Sequence, residues 1–299
     1  GEELLDGLLG NDLLGFHIGD HCDNFMEAAG RVLGSQVHDE YNLVYQREEP
    51  TLVRPFPISV DFEQINQESQ SPEVTEEMDR LIEELNLGGK VIGLGIDRID
   101  YTKGIPHRIR AIGRFFEKYP EYIGQVVFVQ AGVMSRANIH AYQQLSDQIN
   151  VELESVNGRF GTDDWQPILY LPDDLPAVTL AAFRRIARFC VVSSLHDGMN
   201  LVAKEYVASR FDEDGVLILS PFTGSAHELT DSVIVNPYAT EDFATAICEA
   251  VEMPYEMRRE RMKRMRSVVE ENNIYMWAAR LFVDMMQGTR RSHRPIRSP

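Results

Sequence analysis

Hydrophobic positions along the chain follow two rhythms. From residue 72 onward, short solid apolar runs alternate with longer stretches in which apolar residues return every three or four positions. The runs at 90–97, 125–131, 168–171, 189–193, 216–219 and 233–235 are rich in β-branched residues and too short for helices. They are predicted to be strands buried on both faces. Stretches at 72–87, 105–119, 138–156, 175–187, 201–211, 240–252, 255–271 and about 274–287 are predicted helices. In the first, Val74, Met78, Leu81, Ile82 and Leu85 share a face; in the second, Ile109, Ile112, Phe115 and Phe116 do. This alternation predicts an α/β fold with a parallel sheet of the doubly wound kind. Ligands of such sheets sit at the carboxyl ends of the strands.

The first 60 residues lack that regularity. Residues 12–17 read as a strand, 22–33 as a helix, and 43–47 and 52–60 as further extended pieces. That is too little to be expected to bury a core of its own. The chain opens on Gly1 rather than Met and reads as a sequence entered partway.

Composition narrows the function. With 299 residues, 43% hydrophobic and 25% charged, this is globular-protein composition, and no apolar run approaches the length of a membrane span. The acidic, amphipathic Gly1-Glu2-Glu3-Leu4-Leu5 is not expected to be a signal peptide. A net charge of −18 argues against nucleic-acid and anionic-membrane partners. The basic run at 290–297 is expected to be a disordered tail. Cys22, Cys190 and Cys248 are few and scattered, which fits a reducing, cytoplasmic setting.

Against that acidic background, "GIDRIDYTKG" at 95–104 places Arg98 and Lys103 just past a core strand. A dinucleotide fingerprint needs glycine where Arg98 stands, so G-x-G-x-x-G fails. Arginine offers a two-pronged donor and lysine a point charge, a pair suited to a diphosphate. The alternative is a surface network among Asp97, Arg98, Asp100 and Lys103. A second stretch, "SSLHDGMNLVAKEY" at 193–206, runs from a strand end through a loop into a helix. Amides at that helix start could donate to phosphate or sugar oxygens, Asp197 could accept from sugar hydroxyls, and Glu205 from a ribose. Alternatively Asp197 or Asn200 only caps the helix and Glu205 only pairs on the surface. Arg136, in the loop after 125–131, could reach an anionic group of a second substrate. The small residues of 220–228 permit close backbone approach to a ligand.

Other features carry less. His17 and His21 share no helix face and find no third ligand, so no metal site is predicted. "NGRFG" at 157–161 reads as a turn. Trp165, Trp277 and the methionines of 253–286 read as core packing.

The segments "IDRIDYTKGIPHRIRAI", "VQAGVMSRANIHAY", "VNGRFGTDDWQPILYL", "SSLHDGMNLVAKEYVA", "GVLILSPFTGSAHEL" and "IVNPY" occur in the order found in trehalose-6-phosphate synthases. Upstream, "DLLGFHIGDHCDNF" and "VRPFPISVDFE" resemble the end of that family's N-terminal domain and its crossover. The resemblance covers nearly the whole chain. It implies a GT-B glycosyltransferase with two Rossmann-like domains facing each other across a cleft. Residues 1–62 would be the end of the acceptor-side domain and the crossover, and 63–273 the nucleotide-sugar domain. Residues 274–288 would be a helix returning toward the first domain, with apolar surface exposed in its absence, and 289–299 the tail. Most of the acceptor-side half is not found, and a chain of this content is expected not to complete transfer.

By position, the resemblance puts Arg98 and Lys103 on the donor diphosphate and Asp197 on the donor glucose, these three being the catalytic set. It puts Gly198, Met199, Asn200, Leu201 and Val202 around sugar and phosphates, Glu205 on the ribose and Arg136 on the acceptor phosphate. His196 departs from the arginine common at that place. The implied reaction moves glucose from UDP-glucose to glucose 6-phosphate with retention, giving α,α-trehalose 6-phosphate, without metal or other cofactor. The alternatives are a glucosylglycerol-phosphate synthase using ADP-glucose and glycerol 3-phosphate, and a non-catalytic regulatory homologue. A GDP donor and a homo-oligomer stay open.

Overall fold

The protein is described by a computed structural model covering residues 1–47, 49–132, 140–172 and 174–291, with side chains as far as Met286. It divides into two units: Gly1–Ser59 with the chain from Asn272 onward, and Val60–Glu271.

In the first unit, α1 (Glu2–Leu8), β1 (Leu13–Phe16), α2 (Gly19–Leu33), β2 (Gln36–His38), β3 (Leu43–Gln46) and β4 (Glu49–Pro55) follow one another. The four strands are ordered β1-β4-β3-β2, with β1 parallel to β4 and the other pairs antiparallel. Helix α2 turns Cys22, Phe25, Met26 and Ala29 inward at the spacing of one helical face. Gly34, left-handed at φ 68°, ends it, and the Ser35 N–H closes back on the Ala29 carbonyl at 3.4 Å. Against that face lie Leu9, Val44 and Val53, so this unit does bury a small core, contrary to the expectation from its length. The strand pair β3–β4 supplies the missing cover.

The second unit holds α3 (Phe62–Glu68), α4 (Pro72–Glu84), β5 (Val91–Ile96), α5 (Ile105–Lys118), β6 (Val126–Ala131), α6 (His140–Phe160) and β7 (Ile168–Leu171). Then come α7 (Ala177–Ile186), β8 (Phe189–Val192), α8 (Leu201–Ser209), β9 (Val216–Leu219), β10 (Val233–Ile234), α9 (Thr240–Glu252) and α10 (Tyr255–Glu271). All six strands are parallel, in the order β10-β9-β8-β5-β6-β7. The chain therefore winds outward from β5 through β6 to β7, returns to β8 beside β5, and winds the other way. That reversal puts the crevice for ligands at the carboxyl ends of β5 and β8. Every residue of β6, β8 and β9 is buried, as unbroken apolar runs require.

Several boundaries carry their own chemistry. Ser71 caps α4 by accepting from the Val74 N–H at 3.2 Å, with Pro72 in the first turn, where its missing N–H costs nothing. Helix α3 was not legible in the apolar pattern; Asp61 starts it, accepting from the Gln64 N–H at 3.0 Å. Of the expected turn at 157–161, residues 157–160 are instead the last turn of α6. Asn157 both donates to the Ile168 carbonyl at 2.9 Å and accepts its N–H at 3.0 Å, which ties the helix end to the start of β7. Phe160 packs on Phe116 at 5.7 Å between ring centres. Trp165 is buried, as are Met253, Met262 and Met265, but Met257, Met276, Met285 and Met286, expected in the core, are exposed.

The final helix, α11 (Ile274–Arg291), belongs to the first unit. There Trp277 donates its indole N–H to the Phe56 carbonyl at 3.1 Å, and Arg54 pairs with Asp284 at 3.3 Å. The helix exposes Tyr275, Phe282, Val283, Met285 and Met286. Residues 292–299, most of the basic tail, lie outside the described residues. Among the described residues, no helix is long and apolar enough to cross a membrane.

Candidate active site

Strand β5 contains two glycines, and neither cradles a nucleotide. A Cβ on Gly93 would strike the Phe189 ring and come within 2.7 Å of Phe128. A Cβ on Gly95 would collide with the Arg108 guanidinium and approach the Gln130 amide oxygen to 2.7 Å. These glycines make room for a buried aromatic pair and a buried cation. Arg108 is fully buried on the inner face of α5. It donates to Asp97 at 2.7 Å, to Gln130 at 2.8 Å and to the Ser193 hydroxyl at 3.0 Å. One arginine thus joins the ends of β5, β6 and β8. Burial pushes the Asp97 carboxyl above its ordinary range, while Arg108 works in the opposite direction. Gly95→Ala is expected to cost about 1–3 kcal/mol by overpacking this cluster, read as a lower urea midpoint with an unchanged slope.

The charges of 97–103 do not form the surface network their proximity allows. Asp97 turns inward, Arg98 is exposed and Ile99 is buried, so the chain alternates past the strand end. Asp100 accepts from the Thr102 N–H at 2.9 Å, the Thr102 hydroxyl at 2.8 Å and the Tyr142 hydroxyl at 3.1 Å. Burial acts to raise its carboxyl, but these donors prevail and hold it low. The turn at Tyr101–Lys103 ends in Gly104 at φ 66°, where a Cβ would run into the Ser193 carbonyl. The Leu195 N–H donates to the Thr102 carbonyl at 2.6 Å, binding this loop to the one after β8.

That contact delivers Lys103 to Asp197, Nζ to Oδ2 at 2.6 Å. The same oxygen accepts from Asn200 at 3.1 Å and Ser194 at 3.3 Å. Burial raises the Asp197 carboxyl, but Lys103, Asn200 and the Met199 amide outweigh it, so the group stays below its ordinary value and is an anion at neutral pH. Asn200 is left-handed at φ 72°, unusual for a non-glycine residue. Its side chain caps α8 by accepting from the Ala203 N–H at 3.2 Å. Leu201 and Val202 begin that helix, where amides have no intrahelical acceptor.

The 220–228 loop clamps this turn from the far side. The Asp197 N–H donates to Phe222 at 3.0 Å, while Asp197 and Met199 accept from the Gly224 and Ser225 amides at 3.1 and 2.8 Å. A second buried pair braces it: Lys204, fully buried in α8, meets Glu228 at 2.5 Å. Burial pulls the Lys204 ammonium below the usual lysine value and Glu228 opposes the shift.

A cavity of about 250 Å³ lies at this end of the sheet. Arg98, Lys103 and the carboxylates Asp97 and Asp174 line it, together with Ala131, Gly132, Leu175, Leu180 and Val202. The structure thus brings Arg98, Lys103 and Val202 to one cavity and joins Asp197 and Asn200 to it through Lys103. Asn200 does cap α8, and Glu205 pairs with the largely buried Arg184 at 3.5 Å rather than with a surface partner. Arg136 lies outside the described residues. Sequence reasoning missed Arg108 and Lys204; the visible signal was a cation on the apolar stripe of each helix. A larger cavity, about 570 Å³, lies in the first unit between β4 and α11, lined by Arg54, Phe56, Trp277 and Asp284. Arg280 lines it too, but its Arg54 is already paired with Asp284. Among the described residues, no group of three or more His, Cys, Asp or Glu is placed to hold a metal.

Solved structures of the GT-B class of glycosyltransferase folds match this chain and its Rossmann-order parallel sheet closely, which places it in that class. The chain belongs to glycosyltransferase family 20, whose family model matches residues 1–287. It is 39% identical over 275 residues to a bifunctional trehalose-6-phosphate synthase/phosphatase from Thermoproteus tenax, covering 92% of this chain and 37% of that protein. It is 38% identical to a UDP-forming α,α-trehalose-phosphate synthase from Botryotinia fuckeliana, covering 92% of this chain and 52% of that one. A Burkholderia xenovorans UDP-forming synthase in complex with glucose-6-phosphate matches with TM-score 0.90 at 32% identity, over 95% of this chain and 63% of that chain. An E. coli structure bound with UDP-2-fluoro glucose matches with TM-score 0.90 at 31% identity, over 96% and 63%. The chain therefore spans roughly a third to a half of these curated relatives.

Proposed function

We propose that this chain is the donor-binding portion of a retaining glucosyltransferase. The whole protein would move glucose from UDP-glucose to glucose 6-phosphate and release UDP and α,α-trehalose 6-phosphate. The observation that carries the reading is the convergence of Arg98, Lys103 and Asp197 at the crevice between β5 and β8. Breaking the bond from the anomeric carbon to the diphosphate builds negative charge on the leaving group. Fixed cations beside it stabilise the transition state more than the ground state. Arg98 and Lys103 take that part, with no metal invoked. Asp197, held anionic, accepts from hydroxyls of the glucose, and Glu205 accepts from the ribose. Met199, Asn200, Leu201 and Val202 present backbone to sugar and phosphates, with Gly198 allowing approach. Arg136 would hold the acceptor phosphate. A uridine donor is supported by the UDP-forming relatives and by the neighbour bound to a UDP-glucose analogue.

Calorimetric titration of the chain with UDP-glucose, and in parallel with ADP-glucose, tests the reading without requiring transfer. UDP-glucose is expected to bind more tightly, and Arg98→Ala to weaken it about tenfold or more. A folded chain that binds neither nucleotide sugar overturns the reading; a preference for ADP-glucose overturns the uridine donor.

A further inference from the structure

One wall of the donor cavity continues beyond the residues that line it. Leu180 on α7 and Val202 on α8 face the cavity. One turn further along each helix stand Arg184 and Glu205, which therefore share those faces. They meet there, Nη2 to Oε2 at 3.5 Å, with Arg184 only 11% exposed and Glu205 32%. The helix end carrying Arg184 is itself fixed. Buried Arg210, at the end of α8, donates through one Nη1 to the carbonyls of Arg184 at 3.1 Å, Arg185 at 2.5 Å and Ala187 at 2.8 Å. Arg184 thus projects from a helix end held by three hydrogen bonds, and its Nε is buried without a hydrogen-bond partner in the structure. With its main chain held and its side chain largely buried, Arg184 has little rotamer freedom left to lose in holding a carboxylate.

We infer that Arg184 is a positioning residue for nucleoside recognition: it engages Oε2 of Glu205 so that Oε1 is presented to the vicinal hydroxyls of the donor ribose. The inference rests on the proposed role of Glu205. Its signature is a dependence on the diol, which a purely structural ion pair lacks.

The test is calorimetry on the full chain with two probes, UDP and 2′,3′-dideoxyuridine diphosphate, against wild type, Arg184→Met and Arg184→Lys. Arg184→Met is expected to weaken UDP about three- to tenfold and leave the dideoxy probe unchanged. Arg184→Lys, which keeps the charge, recovers part of the loss. Equal weakening of both probes makes the pair merely structural and overturns the inference, as does unchanged UDP binding in Arg184→Met. Wild type that binds neither probe overturns the reading of the site as a whole. Wild type that binds both probes equally overturns only the ribose role of Glu205, and this inference with it. Circular dichroism of each variant establishes that it is folded before titration.

Discussion

Arg108→Met is expected to destabilise the second unit by about 3–5 kcal/mol, the usual consequence of removing one partner from a buried ion pair. Arg108 is 0% exposed and Asp97 only 2%. Methionine fills similar volume, so the loss reports charge and hydrogen bonding rather than a cavity. Three partners lose a donor together: Asp97, Gln130 and Ser193. The pH dependence identifies the cause. Burial already raises the Asp97 carboxyl, and Arg108 is what restrains it. A group raised in the folded state binds its proton more readily folded than unfolded, so folding gains as pH falls through the folded value. Without Arg108 the rise is larger, and the deficit of the variant should therefore shrink on acidification. Urea denaturation at neutral and mildly acidic pH measures this. Asp97→Asn in the Arg108→Met background should recover much of the loss, because it removes the stranded charge. A single variant within about 1 kcal/mol of wild type, or a double variant no better than the single, would show that the pair does not hold the strand ends together.

The same cluster shows what the sequence could and could not convey. The sheet was legible because strands buried on both faces read as short solid apolar runs, and strand ends place loops where ligands bind. Hence Arg98, Lys103 and Asp197 could be picked out from their positions alone. Their partners could not. Lys103 reaches Asp197 across 94 positions, and Asp97 reaches an arginine eleven positions on rather than the neighbouring Arg98. Local spacing favours the near partner; alternation at the end of β5 sends Asp97 inward and Arg98 outward. Two small elements were missed for a different reason. Phe62 and Ile65 give α3 too little apolar face to show a period, and the three residues of β2 are too few to show alternation. The Asn-Gly pair at 157–158 argued locally for a turn. Helix α6 continues through it because Asn157 finds both of its partners on Ile168. Tertiary context overrode a correct local preference.

Lys103→Met is expected to weaken UDP-glucose binding by about 10- to 100-fold, the range for losing a hydrogen bond between charged groups. In the assembled enzyme it should lower turnover more than it raises the Michaelis constant, because charge on the leaving diphosphate is largest in the transition state. The free chain offers a second readout. Lys103 lies 2.6 Å from Asp197 and, after the opposing effect of burial, is the first group that lowers its carboxyl. Removing it should raise that carboxyl toward or above its ordinary 3.8, observable by NMR titration. The sign for stability follows. A carboxyl depressed in the folded state stabilises folding fully above its unfolded value and loses that contribution as pH falls through the folded one. The gap between wild type and Lys103→Met should therefore be largest near neutrality and close below pH 3.8, unlike a bare core-packing loss, which is insensitive to pH. Unchanged nucleotide-sugar affinity together with an unmoved Asp197 titration would remove Lys103 from the site and leave Arg98 as the remaining cation proposed for the diphosphate.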